Sequence, residues 1–80
     1  MTLIIAVRNR ILQLVQEKHI TINKMAENAG LAPSTLKNIL YGKSTNPKLL
    51  TIKILCDGLG ITLAEFFNTT DFNGLEQEIK

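Results

Sequence analysis

Apolar residues recur along the chain at spacings of three and four, the period of an α-helix. No segment alternates apolar and polar residues over the length of a strand. The first stripe predicts a helix over residues 3–18, and it consists of Ile4, Val7, Ile11, Leu14 and Val15. The pattern therefore predicts an all-α protein.

Capping residues and glycines define the next two helices. Thr21 is a good N-cap for a helix over 22–29, and Gly30 stands where a helix end favours a left-handed residue. A third helix over 33–41 opens on a proline, whose missing N–H would have no partner at the first helical position. We expect Gly42 to end this helix.

Three further signals occupy the rest of the chain. A fourth helix is predicted from Pro47 to Leu59, although Gly58 inside it costs about 1 kcal/mol relative to Ala. Residues 62–65 read Thr-Leu-Ala-Glu, the signature of a capping box that opens a short fifth helix. Leu75 and Ile79, four residues apart, indicate one more helical turn near the C-terminus. We expect a compact five-helix domain over 1–70, followed by an extension over 71–80.

Length and charge limit the alternatives without choosing among them. Eighty residues make one small domain with a thin core, and the net charge of +2 does not by itself point to nucleic acid. The single Cys56 excludes an internal disulfide framework and a Cys-rich metal site. The apolar run 1–7 is too short to span a membrane and lacks the features of a signal peptide. We expect a cytoplasmic protein without a cofactor.

An enzyme is not expected. The sequence has no Ser/His/Asp set, no phosphate-cradling glycine loop and no metal-ligand spacing. Its acidic residues are scattered, and His19 has no second ligand nearby, so a surface or capping role at the end of the first helix suits it better.

The third predicted helix has two chemically different faces. One side carries the apolar residues Leu36, Ile39 and Leu40. The other side carries a hydroxyl, an ammonium, an amide and a phenol, from Ser34, Lys37, Asn38 and Tyr41, with Thr35 at the border. A helix that reads the major groove of DNA needs such donors and acceptors and no carboxylate facing phosphate. The short preceding helix and the turn at Gly30 are typical of a helix-turn-helix.

Residues 21–67 resemble the helix-turn-helix family of phage Cro proteins and phage repressors (the XRE family). The resemblance rests on an ordered set of positions: Thr21, Met25–Ala26, Gly30, Leu31, Ala32, Pro33–Tyr41, Gly42–Lys43, Asn46–Pro47, Leu59–Gly60–Ile61 and the stretch 62–67. It implies a lambda-repressor-like, five-helix DNA-binding domain. The function implied is a sequence-specific transcriptional regulator, in the first instance a repressor, that acts as a homodimer on a two-fold symmetric operator and is encoded by a bacterium or a phage.

The resemblance also implies a set of DNA contacts. Base edges would be met by residues of the recognition helix 33–41, namely Pro33, Ser34, Lys37 and Asn38. Phosphates would be met by residues at the start of the second helix, on the recognition helix and in the loop after it: Thr21, Asn23, Lys24, Thr35, Tyr41, Lys43, Ser44 and Thr45. Lys24 would serve either role, and Lys37 and Tyr41 would reach bases or flanking phosphate.

The sequence departs from the family pattern in two respects, at three positions. Many members pair an arginine of the first helix with a glutamate of the recognition helix, and the corresponding residues here are the apolar Val15 and Leu40. A hydrophobic contact in place of an ion pair is often neutral or stabilising. Ala32 replaces a hydroxyl cap, which typically costs about 1 kcal/mol.

Some apolar residues are displaced from the predicted core stripes. Leu50 and Ile54 point away from the core face of the fourth helix, and Ile5 and Leu12 are displaced on the first. An apolar patch of this kind needs a cover. Either the extension 71–80 folds back on Leu50 and Ile54, or a dimer partner buries them. A protein partner leads to the alternative function, an antitoxin or protein-binding adaptor on the same fold.

Overall fold

The computed structural model describes residues 1–79. The secondary structure in this range consists of helices joined by turns and loops, without a strand. Six helices follow one another in the order α1 Leu3–Glu17, α2 Ile22–Asn28, α3 Pro33–Tyr41, α4 Leu49–Leu59, α5 Leu63–Phe67 and α6 Thr70–Asn73. None of the helices in this range is long and apolar enough to cross a membrane.

The predicted helix caps are present. The Thr21 hydroxyl oxygen accepts the backbone N–H of Lys24 at 3.0 Å and opens α2. Thr62 and Glu65 form both bonds of the predicted capping box at the start of α5. Gly30, after α2, has a φ of +68°, in the left-handed region that favours glycine. The structure confirms the predicted bounds of the first three helices to within one residue, and it confirms the predicted start of the fifth.

Two predicted elements are corrected. Helix α4 begins at Leu49, not at Pro47, because Lys48 has an extended backbone (φ −64°, ψ 140°) and acts as the N-cap. The expected turn over Leu75–Ile79 is absent, and the helical turn at this end of the chain is α6, at Thr70–Asn73. Residues 1–79 therefore contain the five predicted helices and one further helical turn, which lies earlier in the chain than predicted.

The core is built from the apolar stripes of the first five helices. Its buried members form one cluster that contains Val7, Ile11, Leu14, Met25, Ala26, Leu36, Ile39, Leu40, Ile52, Leu55, Cys56 and Phe66. Helix α2 packs on both α3 and α4, and α1 also packs on α3. Helix α3 is therefore held by α1 and α2. Leu40 is buried in this core and Val15 is half-buried against it. The two residues that replace the ion pair of the family are therefore both in apolar surroundings.

The C-terminal segment packs against the beginning of α1. The Glu76 N–H donates to the Met1 carbonyl at 3.1 Å, and the N-terminal ammonium lies 3.9 Å from the Glu76 carboxylate. Phe72 of α6 packs on the core, with its ring centroid 4.9 Å from that of Phe67. The segment does not cover Leu50, which stays 66% exposed; Lys80 lies outside the described residues.

Candidate nucleic-acid interface

Helices α2 and α3 are joined by a short, tightly bonded turn. The Leu31 N–H donates to the Ala26 carbonyl at 2.9 Å, and the Gly30 N–H donates to the Glu27 carbonyl at 3.0 Å. Leu31 packs on the core and anchors the turn. Ala32 then has an extended backbone and Pro33 starts α3. This turn fixes the direction of α3 relative to α2.

Helix α3 has the two faces that its sequence predicts. Leu36, Ile39 and Leu40 are buried, with Leu36 wholly inaccessible to solvent. The opposite face is exposed along its whole length, from Pro33, Ser34 and Thr35 through Lys37 and Asn38 to Tyr41. The helix is thus fixed by one side and presents polar groups on the other.

The polar face of α3 borders an open groove. The groove has a volume of about 770 Å³ and lies between α3, the following loop and the start of α4. Four of the predicted contact residues line it: Ser34, Thr35, Asn38 and Ser44. Three further polar residues of the groove, Asn46, Lys48 and Thr51, were not predicted as contacts. Lys48 was missed because the sequence predicted a helix from Pro47, whereas Lys48 precedes α4. Asn46 lies in the loop that the sequence predicted, and Thr51 lies in the first turn of α4.

The other predicted contacts lie outside this groove. Thr21, Asn23 and Lys24 stand at the start of α2. Pro33 and Lys37 are exposed at the start and in the middle of α3, and Tyr41 and Lys43 are exposed at its end and just after it. Thr45 lines a neighbouring recess beside the start of α1. All twelve predicted contact residues are exposed except Ser44, which is half-buried.

The charged residues around α3 are basic, although the net charge of the whole chain is only +2. No Asp or Glu occurs between Glu27 and Asp57, a stretch that holds four lysines, at positions 37, 43, 48 and 53. Lys53 pairs with Asp57 one turn further along α4. Lys37, Lys43 and Lys48 make no ion pair within the described residues. This distribution leaves a locally positive surface next to the groove.

Arg8 of α1 is a structural residue of this region that the sequence analysis did not single out. Its Nε donates to the carbonyl of Ile39 at 2.7 Å, and its Nη2 donates to the carbonyls of Gly42 at 3.3 Å and Ser44 at 3.1 Å. A sequence signal exists, since Arg8 follows Ile4 by four residues and precedes Ile11 by three, at the border of the core stripe.

Burial in the core raises the pKa of the Cys56 thiol. Residues 1–79 contain no cluster of three or more His, Cys, Asp or Glu side chains suited to a metal ion.

The fold and this surface define a helix-turn-helix protein, and comparison with known proteins specifies the family. The family model for the Cro/C1-type HTH DNA-binding domain matches residues 10–71, and the chain belongs to this family of DNA-binding, non-enzymatic regulators. The crystal structure of the prophage Lp1 protein 11 has the same fold, with 32% sequence identity and a TM-score of 0.80. The match covers 94% of this chain and 99% of that one. A comparison with curated proteins gives no match.

Proposed function

We propose that this DNA-binding regulator is sequence-specific, reads the major groove with α3, and represses transcription by occupying a promoter. The observation that carries the proposal is the arrangement of α3: its apolar side is buried, and its polar side borders an acid-free groove. A helix held in this way offers base-reading groups on a rigid support.

Base reading is assigned to four residues of α3. Asn38 is the strongest reader because its amide offers a donor and an acceptor, the pair that matches an adenine edge. The Ser34 hydroxyl adapts to either kind of partner. Pro33 offers an apolar ring for a thymine methyl group, and Lys37 reaches a base or the adjacent phosphate.

Phosphate binding is assigned to both flanks of α3. On one flank stand Thr21, Asn23 and Lys24 at the start of α2. On the other flank stand Thr35, Tyr41 and the loop residues Lys43, Ser44 and Thr45. We add Lys48 to this second group, since it lines the same groove as Asn38 and Ser34 and makes no ion pair within residues 1–79. Such contacts set the position of the domain on DNA and carry no sequence information themselves.

A homodimer on a two-fold symmetric operator is part of the proposal. Leu49 and Leu50 are each 66% exposed at the start of α4, and Ile54 is half-buried. Two copies joined through this face would place two recognition helices on one DNA duplex. A dimer reads half-sites about 34–36 Å apart, one helical turn of DNA.

The same exposed leucines favour the second candidate function, an antitoxin or adaptor that binds another protein. The two candidates differ in what occupies Leu49 and Leu50. In the first it is a second copy of the chain, and in the second it is a different protein. A mass measurement on the purified protein separates them, because only the first predicts a dimer without any added partner.

Selection of bound sequences from a random DNA pool tests the proposal. We expect a consensus with two inverted half-sites. A reporter gene with this consensus overlapping its promoter should lose expression when the protein is produced. Recovery of sequences without any consensus would contradict specific reading, and an increase in reporter expression would contradict repression.

A further inference from the structure

Arg8 contacts three backbone carbonyls, which lie at the end of α3 and in the loop that follows it. The Ile39 carbonyl is one of the last acceptors of α3, and the Gly42 and Ser44 carbonyls lie in the loop that follows. The terminal carbonyls of a helix have no partners within the helix, and a cation near them also suits the helix dipole. Arg8 therefore satisfies the end of the recognition helix from a different helix, α1.

The pattern of these bonds centres on Lys43. A single nitrogen, Nη2 of Arg8, donates to the carbonyls of both residues that flank Lys43. The backbone on either side of this lysine is thus tied to the same guanidinium. Arg8 itself is half-buried and its guanidinium contacts groups within the protein. Lys43 is exposed, so its ammonium is accessible to a ligand.

We propose that Arg8 is a positioning residue for DNA binding, which holds the loop 42–45 in the conformation that aims Lys43 at a phosphate. This inference rests on the proposed function, since it assigns the loop to the DNA backbone. Without the bonds from Arg8, the loop 42–45 would be more mobile in the free protein. Binding of Lys43 to a phosphate would then cost the conformational entropy of ordering this loop, and the contact would be weaker.

Arg10 provides a matched control on the same helix. Its Nε donates to the Phe66 carbonyl at 2.7 Å, and its Nη2 donates to the Glu65 carbonyl at 2.9 Å. Arg10 is also half-buried, and it clamps the end of α5 rather than the end of α3. Arg8→Met and Arg10→Met each remove one charge and bonds from a guanidinium to backbone carbonyls, but they release different segments. Arg10→Met also removes a bond from Nη1 to the Gln13 side chain, which lies on the same helix.

The first measurement needs no DNA. Backbone order parameters by NMR should fall at Lys43 and Ser44 in Arg8→Met, from near the rigid value of about 0.85 toward the flexible range below about 0.6. They should stay at the parent values in Arg10→Met. Unchanged order in the loop of a folded Arg8→Met protein would overturn the positioning role.

The second measurement is the salt dependence of binding to a fixed duplex, at a temperature at which circular dichroism finds every variant folded. Each phosphate contact contributes about 0.9 to the slope of log K against log salt. Arg8→Met should lose about this amount, whereas Arg10→Met should keep the parent slope. Arg8→Lys should not restore it, because an ammonium keeps the charge but lacks the planar fork of donors.

A double substitution separates positioning from direct contact. If Arg8 acts through Lys43, Arg8→Met combined with Lys43→Ala has the slope of Lys43→Ala alone. Additive losses, or full rescue by Arg8→Lys, would overturn the inference in favour of a direct phosphate contact by Arg8. A parent protein that binds no DNA would contradict the proposed function itself, whereas a binding parent with an unchanged slope in Arg8→Met would contradict only the role of Arg8.

Discussion

Gly58 of α4 lies directly against the backbone of Ala29 at the end of α2. A methyl group added at Gly58 would lie 3.0 Å from the Ala29 nitrogen and equally close to the carbonyl carbon and oxygen of Asn28. These are backbone atoms, which cannot turn aside as a flexible side chain can. Helices α2 and α4 therefore approach closely because this residue has no side chain.

This contact predicts that Gly58→Ala destabilises the fold. Helix propensity alone would favour alanine by about 1 kcal/mol, but overpacking of a close contact costs about 1–3 kcal/mol. We expect a lower free energy of unfolding in urea. Gly74→Ala is the control, since an added methyl group there meets nothing closer than 4.0 Å. A more stable Gly58→Ala protein would contradict the close approach of the two helices.

The capping box at α5 predicts a difference between two threonines. Thr62 and Thr69 both stand at N-caps, but only the Thr62 hydroxyl accepts a backbone N–H. Thr62→Ala should therefore lower the free energy of unfolding by about 1 kcal/mol. Thr69→Ala should cost much less, and equal losses in thermal unfolding would show that the hydroxyl bond at Thr62 is not the source of stability.

Lys43 predicts a change in salt dependence. Lys43→Ala should weaken binding to operator and to unrelated DNA alike, and it should reduce the salt slope by about 0.9. Lys53→Ala removes the same charge from α4, where Lys53 pairs with Asp57, and should leave the slope near that of the parent. Fluorescence anisotropy titrations at several salt concentrations provide both numbers. Equal salt slopes for the two variants would contradict a phosphate contact by Lys43.

The exposed start of α4 predicts the effect of a polar substitution on assembly. Leu50→Gln should shift the protein from dimer to monomer in sedimentation equilibrium, because a polar group replaces an apolar one at the proposed interface. Ile79→Gln is the control, since Ile79 is also exposed, at 86%, but lies in the C-terminal segment. A parent that is monomeric at all concentrations, or a dimer that persists in Leu50→Gln, would contradict this interface.

The sequence predicted most of the fold because its signals were local. The cap at Thr21, the capping box at Thr62 and the stripe on α3 each depend on residues within one or two turns. The start of α4 was misplaced because Pro47 suits both a helix start and an extended loop. The need for glycine at position 58 was also missed, since the residues that require it are some 30 positions away in the chain.

The candidate site was predictable to a different degree. The outward face of α3 follows from helical periodicity, so the exposure of Ser34, Lys37 and Asn38 was predicted from the sequence. The role of Arg8 was not predicted, because its bonds go to backbone carbonyls more than 30 residues away. Every residue has a backbone carbonyl, so the sequence does not show which carbonyls accept these bonds. The groove residue Lys48 was missed together with the true start of α4.

Substitution of Asn38 shows whether α3 reads base sequence. Parallel selections from one random DNA pool compare the parent, Asn38→Ala and Lys43→Ala, and the three consensus sequences are aligned. We expect Asn38→Ala to lose preference at one position of each half-site, worth about 1–3 kcal/mol, while Lys43→Ala keeps the parent consensus. An Asn38→Ala protein that selects the parent consensus unchanged would contradict the assignment of α3 as the recognition helix.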